Sequence, residues 1–206
     1  ALQHADGSPW SERGCVWMDP GRAEVREYNL SLAAELARAG VDEVQFDYVR
    51  YPTNGWDGDA GPDTDVAAIA EQRCATLELF RAAARDTLDR YGVRISADLY
   101  GIMAWGRIED QAVTGQHVPT IARHVDVICP MIYPSHFGAG FEGRRRPADD
   151  PEYFVEEGTR RFLALVPPEV EIRPWLQAFP FGVTDYGPGY VALQVEAARS
   201  AGGRGG

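Results

Sequence analysis

Stretches with the two-residue alternation of strands and stretches with the three-to-four-residue recurrence of helices take turns along this chain. That order restricts the fold more than any other feature. The apolar positions Val25, Tyr28, Leu32 and Leu36 mark an amphipathic helix over 21–39, which Gly40 stops. A strand is expected over 42–48, a long loop over 51–64, and a long helix over 65–91 with Ala70, Cys74, Leu77, Ala84, Leu88 and Tyr91 on its buried side. Gly92 ends that helix, and the pattern repeats: strand 93–99, loop 100–115, short helix 116–124. Two more units follow, with strands over 125–132 and 170–178, loops over 133–150 and 179–188, and helices over 151–166 and 189–200.

Strands joined through helices form parallel sheets covered by those helices. The loops after the strands are long and rich in polar and aromatic residues, while the returns from helices, such as Gly40 and Gly92, are short. This asymmetry favours a (β/α)8 TIM barrel, whose sites are built from the loops after its strands. A doubly wound sheet is the rival, but no G-x-G-x-x-G follows any strand, so dinucleotide binding has no support. Four strand and helix units fall short of eight. The expectation is one partial α/β barrel domain over 1–206, with its first strands and last strand outside this chain.

Charge narrows the partners. Lys and Arg total 20 against 31 Asp and Glu, giving a net charge of -11, which opposes binding to nucleic acid or anionic membrane surfaces and suits neutral substrates better. The basic run 144–146 reads as a solvated loop. No apolar stretch is long enough to span a bilayer. Cys15, Cys74 and Cys129 are widely spaced, and His4, His117, His124 and His136 lie on separate elements, so neither a disulfide framework nor a metal site is expected, and no cofactor is.

The segment GVDEVQFDYVRYP, over 40–52, carries the chemistry. Gln45 and Asp47 alternate with Val44 and Phe46, so the apolar pair can sit under helices while the carboxylate faces the other way. Ser96, Asp98 and Tyr100 oppose Ile95, Ala97 and Leu99 in the same manner, and Arg173, Trp175 and Gln177 oppose Ile172 and Leu176. Asp47 and Asp98 thus end neighbouring strands, where two carboxylates can flank one glycosidic bond as nucleophile or base and as general acid. A loop cap or an ion pair with Arg50 is the plainer account of either acid alone. Tyr48, Tyr51, Tyr100, Trp105, Tyr133 and Trp175 are candidates to stack on sugar rings, with core packing as the alternative for about half of them. His136, Gln45, Arg50 and Gln177 complete the candidate substrate-binding set. Asp126 starts its strand and is assigned to stability, and Asp19 is expected to initiate the first helix.

Taken in order, VDEVQFDYVRYP (Val41 to Pro52), ISADLYG (Ile95 to Gly101), VDVICPMIYPSHF (Val125 to Phe137) and RPWLQAF (Arg173 to Phe179) resemble a bacterial family of glycoside hydrolases with a TIM-barrel fold. WMDP and YNLSLAAELARAG (Tyr28 to Gly40) resemble the family's segment before its fourth strand. The resemblance implies that the visible strands are the fourth to seventh and that Asp47 and Asp98 occupy the positions of nucleophile and acid. It implies a polysaccharide substrate and an extracellular or cell-envelope location, with any signal segment outside this chain. A non-catalytic carbohydrate-binding or cell-wall protein is the alternative on the same fold, and a metal-dependent deacetylase is a third.

Overall fold

The computed structural model describes residues 1–4, 6–12, 14–53 and 64–205. Most of the loop expected over 51–64 therefore lies outside the described residues. A short antiparallel hairpin, β1 (Ser11–Glu12) with β2 (Cys15–Val16), precedes helix α1 (Ala23–Arg38). The main body is a curled parallel sheet of β3 (Glu43–Phe46), β4 (Arg94–Tyr100), β5 (Val127–Ile132) and the split pair β6 (Glu171–Ile172) and β7 (Trp175–Leu176). Both β6 and β7 pair with β5 in one continuous register. The expected single strand is broken because Pro174 has no N–H to donate and Pro130 on β5 has none either, so the ladder lapses between the two pieces.

Helices α2 (Val66–Leu88), α3 (Ile108–Thr114), α4 (Val118–Ile121), α5 (Pro151–Leu165) and α6 (Pro188–Ser200) complete the described elements with several short 3-10 turns. Asp65 starts α2 by accepting a hydrogen bond from the Ala68 N–H at 3.0 Å, and Gly92, at φ +67°, turns the chain out of it in a conformation that glycine adopts freely. The stretch read as a loop over 100–115 holds a 3-10 turn, Gly101–Trp105, and the whole of α3. α3 has only seven residues and two glycines beside it, too little for a helical periodicity to register.

Alternation separates the two sheet faces as expected. Val44, Ile95, Ala97, Leu99, Ile128 and Ile172 form the main core with Ala84 and Leu88 of α2 and Phe162 of α5. One expectation reverses: Tyr28, Leu32 and Leu36 of α1 are exposed, and the neighbouring stripe of Ala33, Ala34 and Ala37 is buried. Period alone does not say which of two adjacent stripes faces inward, and alanines let the helix approach the sheet closely. Tyr91 is also exposed rather than buried.

Two further expectations concern anchoring residues. Asp126 accepts the Ile95 N–H at 2.7 Å and an Arg85 N–H at 2.9 Å, tying β5, β4 and α2 together at the starting ends of the strands. Asp19 accepts the Gly21 N–H at 2.9 Å, closing the turn before α1, while the cap position itself is Arg22. In the basic run, Arg144 pairs with Asp150 and Arg146 with Asp149.

Candidate active site

The inward sheet face carries two polar layers. At the starting ends of the strands, Arg173 reaches Glu43 at 2.9 Å and Arg94 reaches Glu171 at 2.9 Å. Nearer the finishing ends stands Asp98, buried at 8% exposure. Its Oδ1 accepts hydrogen bonds from Gln45 Nε2 at 2.6 Å and Trp175 Nε1 at 3.0 Å, so side chains from β3 and β7 converge on the acid from β4. Burial pushes the Asp98 carboxyl above its ordinary value, the charge of Asp47 pushes the same way, and the two hydrogen bonds oppose them without prevailing. Because both donors approach Oδ1, Oδ2 is the oxygen left to hold a proton.

Asp47 lies one residue past the end of β3 and is exposed. Its Oδ1 accepts the N–H of Tyr48 at 2.7 Å. Tyr48 has a φ of +57°, a left-handed backbone that costs a non-glycine residue about 1–2 kcal/mol. Two neighbours hold this turn: the Arg50 N–H donates to the Tyr48 carbonyl at 2.8 Å, and Arg81, buried on α2, donates Nη2 to the Val49 carbonyl at 3.2 Å. Burial lowers the Arg81 guanidinium to about 10. The strain is thus maintained from beneath by a buried cation.

Asp47, Tyr48, Arg50, Tyr100, Tyr133 and His136 share the wall of one cavity of about 540 Å³. Asp47, Tyr48 and Arg50 also border a second cavity of about 540 Å³ toward α1. Gln45 and Trp175 line a third, of about 400 Å³, with Cys129 and Arg173. Asp98 lies beneath Gln45 and Trp175 rather than in the wall of any of these. Burial raises the Tyr133 phenol, and the charges of Asp98 and then Asp47 add to the effect, which ties this ring to both acids. His136, its imidazole lowered by burial, lies between Tyr133 and Phe181, with ring centres 5.3 and 6.2 Å away.

Three expected residues fall elsewhere. Tyr51 is buried at 8% exposure with the Arg73 guanidinium 4.5 Å over its ring, because its backbone is tied to the Thr114 carbonyl at the end of α3. Gln177 is fully buried: its amide donates to the Phe179 and Phe181 carbonyls and accepts the Ser135 N–H, so it braces two loops and has no group left for a ligand. Trp105 joins Phe137, Phe141 and Phe154 in a packed aromatic cluster.

Sequence reasoning passed over three contributors. Gln116, buried, accepts the Tyr100 N–H at 3.1 Å and fixes the end of β4. Asp110 adds a carboxylate to the cavity of Asp47, raised by burial against the opposing Arg107. Arg81 left a signal, since it follows Leu77 by four residues on the buried side of α2, where a cation needs a reason. Close approach matters too: a Cβ on Gly101 would lie 2.6 Å from the Met131 carbonyl oxygen, so the turn out of β4 admits only glycine without a shift.

The chain matches, over residues 1–205, the family described as "Putative glycosyl hydrolase domain". It belongs to that family. No curated protein matches it. Among solved structures, the glycoside hydrolase domain of PgaB (BpsB) from Bordetella bronchiseptica superposes with a TM-score of 0.68 at 17% identity, over 98% of this chain and 62% of that one. The spore cortex-lytic enzyme SleL of Bacillus megaterium follows with a TM-score of 0.50 at 13% identity, over 88% of this chain and 38% of that one. The family member described above therefore shares a fold with glycoside hydrolases and spans 62% of the Bordetella domain's length. Among the described residues no helix is long and apolar enough to cross a membrane, and no group of three His, Cys, Asp or Glu is arranged to hold a metal.

Proposed function

We propose that this protein is a glycoside hydrolase acting on a polysaccharide, with Asp98 as general acid and Asp47 as nucleophile or base. The observation that carries this reading is the contrast between the two acids: Asp98 is buried, doubly hydrogen-bonded and raised, while Asp47 is exposed at the next strand end. A carboxyl whose surroundings favour its protonated form can protonate a leaving oxygen, and a second carboxylate nearby can attack or activate water on the sugar carbon. The polar inward face supports reading the sheet as the catalytic side of a (β/α)8 barrel.

Gln45 and Trp175 orient Asp98, and Tyr48, Arg50, Tyr100, Tyr133 and His136 form the substrate wall. The family, and the spore-cortex lysis named for SleL, favour an extracellular or cell-envelope setting. Screening the intact protein against a polysaccharide panel with reducing-end detection tests the reaction. Asp47→Asn and Asp98→Asn should each lower turnover by roughly a thousandfold or more. Undiminished turnover in either variant removes that residue from the mechanism, and glycan binding without any new reducing ends points to a non-catalytic barrel.

A further inference from the structure

Arg50 is held in an unusual way. Its guanidinium carbon lies 4.8 Å from the Trp17 ring centre, 4.9 Å from that of Tyr48 and 4.9 Å from that of Tyr100. These rings come from three separate places: the segment after β2, the strained turn after β3, and the end of β4. Tyr48 holds its position with the left-handed backbone φ of +57°. A strained residue that helps to hold a cation is a reason to seek a use for that cation.

Among the described residues, the guanidinium makes one hydrogen bond, from Nη1 to the Tyr51 carbonyl at 3.0 Å, and no ion pair. Three other arginines near the sheet differ, since Arg85, Arg94 and Arg173 each pair with a carboxylate, and a fourth, Arg81, is buried against the Val49 carbonyl. Arg50 is also the single arginine among the described residues lining the cavity that contains Asp47, Tyr133 and His136. Rings beside a guanidinium hold its orientation while its edge N–H groups stay available, and that edge matches the two oxygens of a carboxylate.

We propose that Arg50 binds the carboxylate of an acidic sugar residue, so that the polysaccharide cleaved beside it carries carboxylate-bearing units. The proposal rests on the glycosidase reading of the same site and narrows its substrate class. It also replaces the preference for neutral substrates that the overall charge suggested. A net charge of -11 resists dense polyanions at long range but does not prevent one carboxylate from docking on one prearranged guanidinium. The nearby carboxylates Glu12, Asp47 and Asp110 line the same cavity and would repel an acid placed anywhere else in it, which confines the acid to Arg50.

Calorimetric titration of the wild-type chain tests this with three ligands: a uronate-containing oligosaccharide, the same oligosaccharide with its carboxyls reduced to hydroxymethyl groups, and an oligosaccharide bearing its carboxylate on a lactyl ether. At least one carboxylate ligand should bind at least about tenfold more tightly than the reduced one, with the advantage shrinking as salt rises. The two acidic ligands distinguish a carboxylate on the ring from one on an ether arm. Arg50→Gln should abolish the discrimination, while Arg50→Lys, which keeps charge but loses the fork, should retain part of it. Thermal melting checks that each variant folds, and the wild-type comparison needs no variant at all. Equal binding of acidic and reduced ligands, binding of neither acid, or full discrimination by a folded Arg50→Gln protein overturns the proposal. Cleavage of a neutral polymer without discrimination would end this inference and leave the glycosidase reading standing. Discrimination without cleavage would do the reverse.

Discussion

The two polar layers of the inward sheet face each hold carboxyl groups and reach opposite electrostatic states. At the starting ends, Glu43 and Glu171 are met by Arg94 and Arg173. Burial opposes ionisation of Glu43, but its hydrogen bonds and the charges of Arg173 and Arg94 together outweigh it. Glu171 is lowered chiefly by Arg94, so both carboxyls are held below their ordinary value. One layer up, Asp98 meets an amide and an indole instead of a guanidinium, and burial wins. The sheet pleat puts all of them on one face; what differs is whether a full positive charge sits within reach. The paired layer fixes strands to one another, and the unpaired layer keeps an acid poised.

The strongest way to break this contrast is to neutralise one member of each layer. Asp98→Asn should abolish turnover while leaving the fold intact, as seen in thermal melting beside reducing-end assays. Arg173→Met should do the opposite: it takes both Arg173 hydrogen bonds from Glu43 and leaves it only Arg94, at 3.8 Å, as an ion-pair partner, costs about 1–3 kcal/mol in denaturant unfolding, and leaves the turnover of the folded fraction near wild type. Loss of catalysis in the second variant matching the first would dissolve the division of labour.

A smaller effect sharpens the upper layer. The Trp175 indole stabilises the charged form of Asp98, so Trp175→Phe should raise that carboxyl further and move the alkaline limb of the pH–rate profile upward. A downward move would mean that Asp98 is not the acid being titrated. The smallest effect lies in stability against pH. Asp98, raised in the folded state, contributes stability below the ordinary Asp value that is lost as pH rises through its folded value. Glu43 and Glu171, lowered in the folded state, contribute stability above the ordinary Glu value that is lost as pH falls through theirs. Asp98→Asn should remove the first slope and keep the second, which unfolding curves across acidic pH can separate.

Much of this was legible in the residues. Strand and helix order, the ends of α1 and α2 at Gly40 and Gly92, and the inward or outward sense of each strand residue follow from period and from glycine's freedom at positive φ. Asp98 was recognisable as an inward acid for the same reason. Tyr51 and Gln177 were misread because a strand-end residue can be claimed by a neighbouring loop, and the hydrogen bonds that claim them come from residues 63 and 42 positions away in the chain. Which stripe of α1 faces the sheet was misread too, since leucine and tyrosine weigh more than alanine in any apolar pattern.

Local period and chain order are enough to give the alternating parallel architecture, the polar inward face and the presence of two acids near adjacent strand ends. Which charges are neutralised is set by packing between distant segments: Arg94 and Arg173 against two glutamates, Arg81 beneath a strained turn, Arg50 between three rings, and Asp98 with no cation beside it among the described residues. An ionisable group's state depends on burial and on the few charges and donors within a few ångströms of it, and those neighbours arrive from distant parts of the chain.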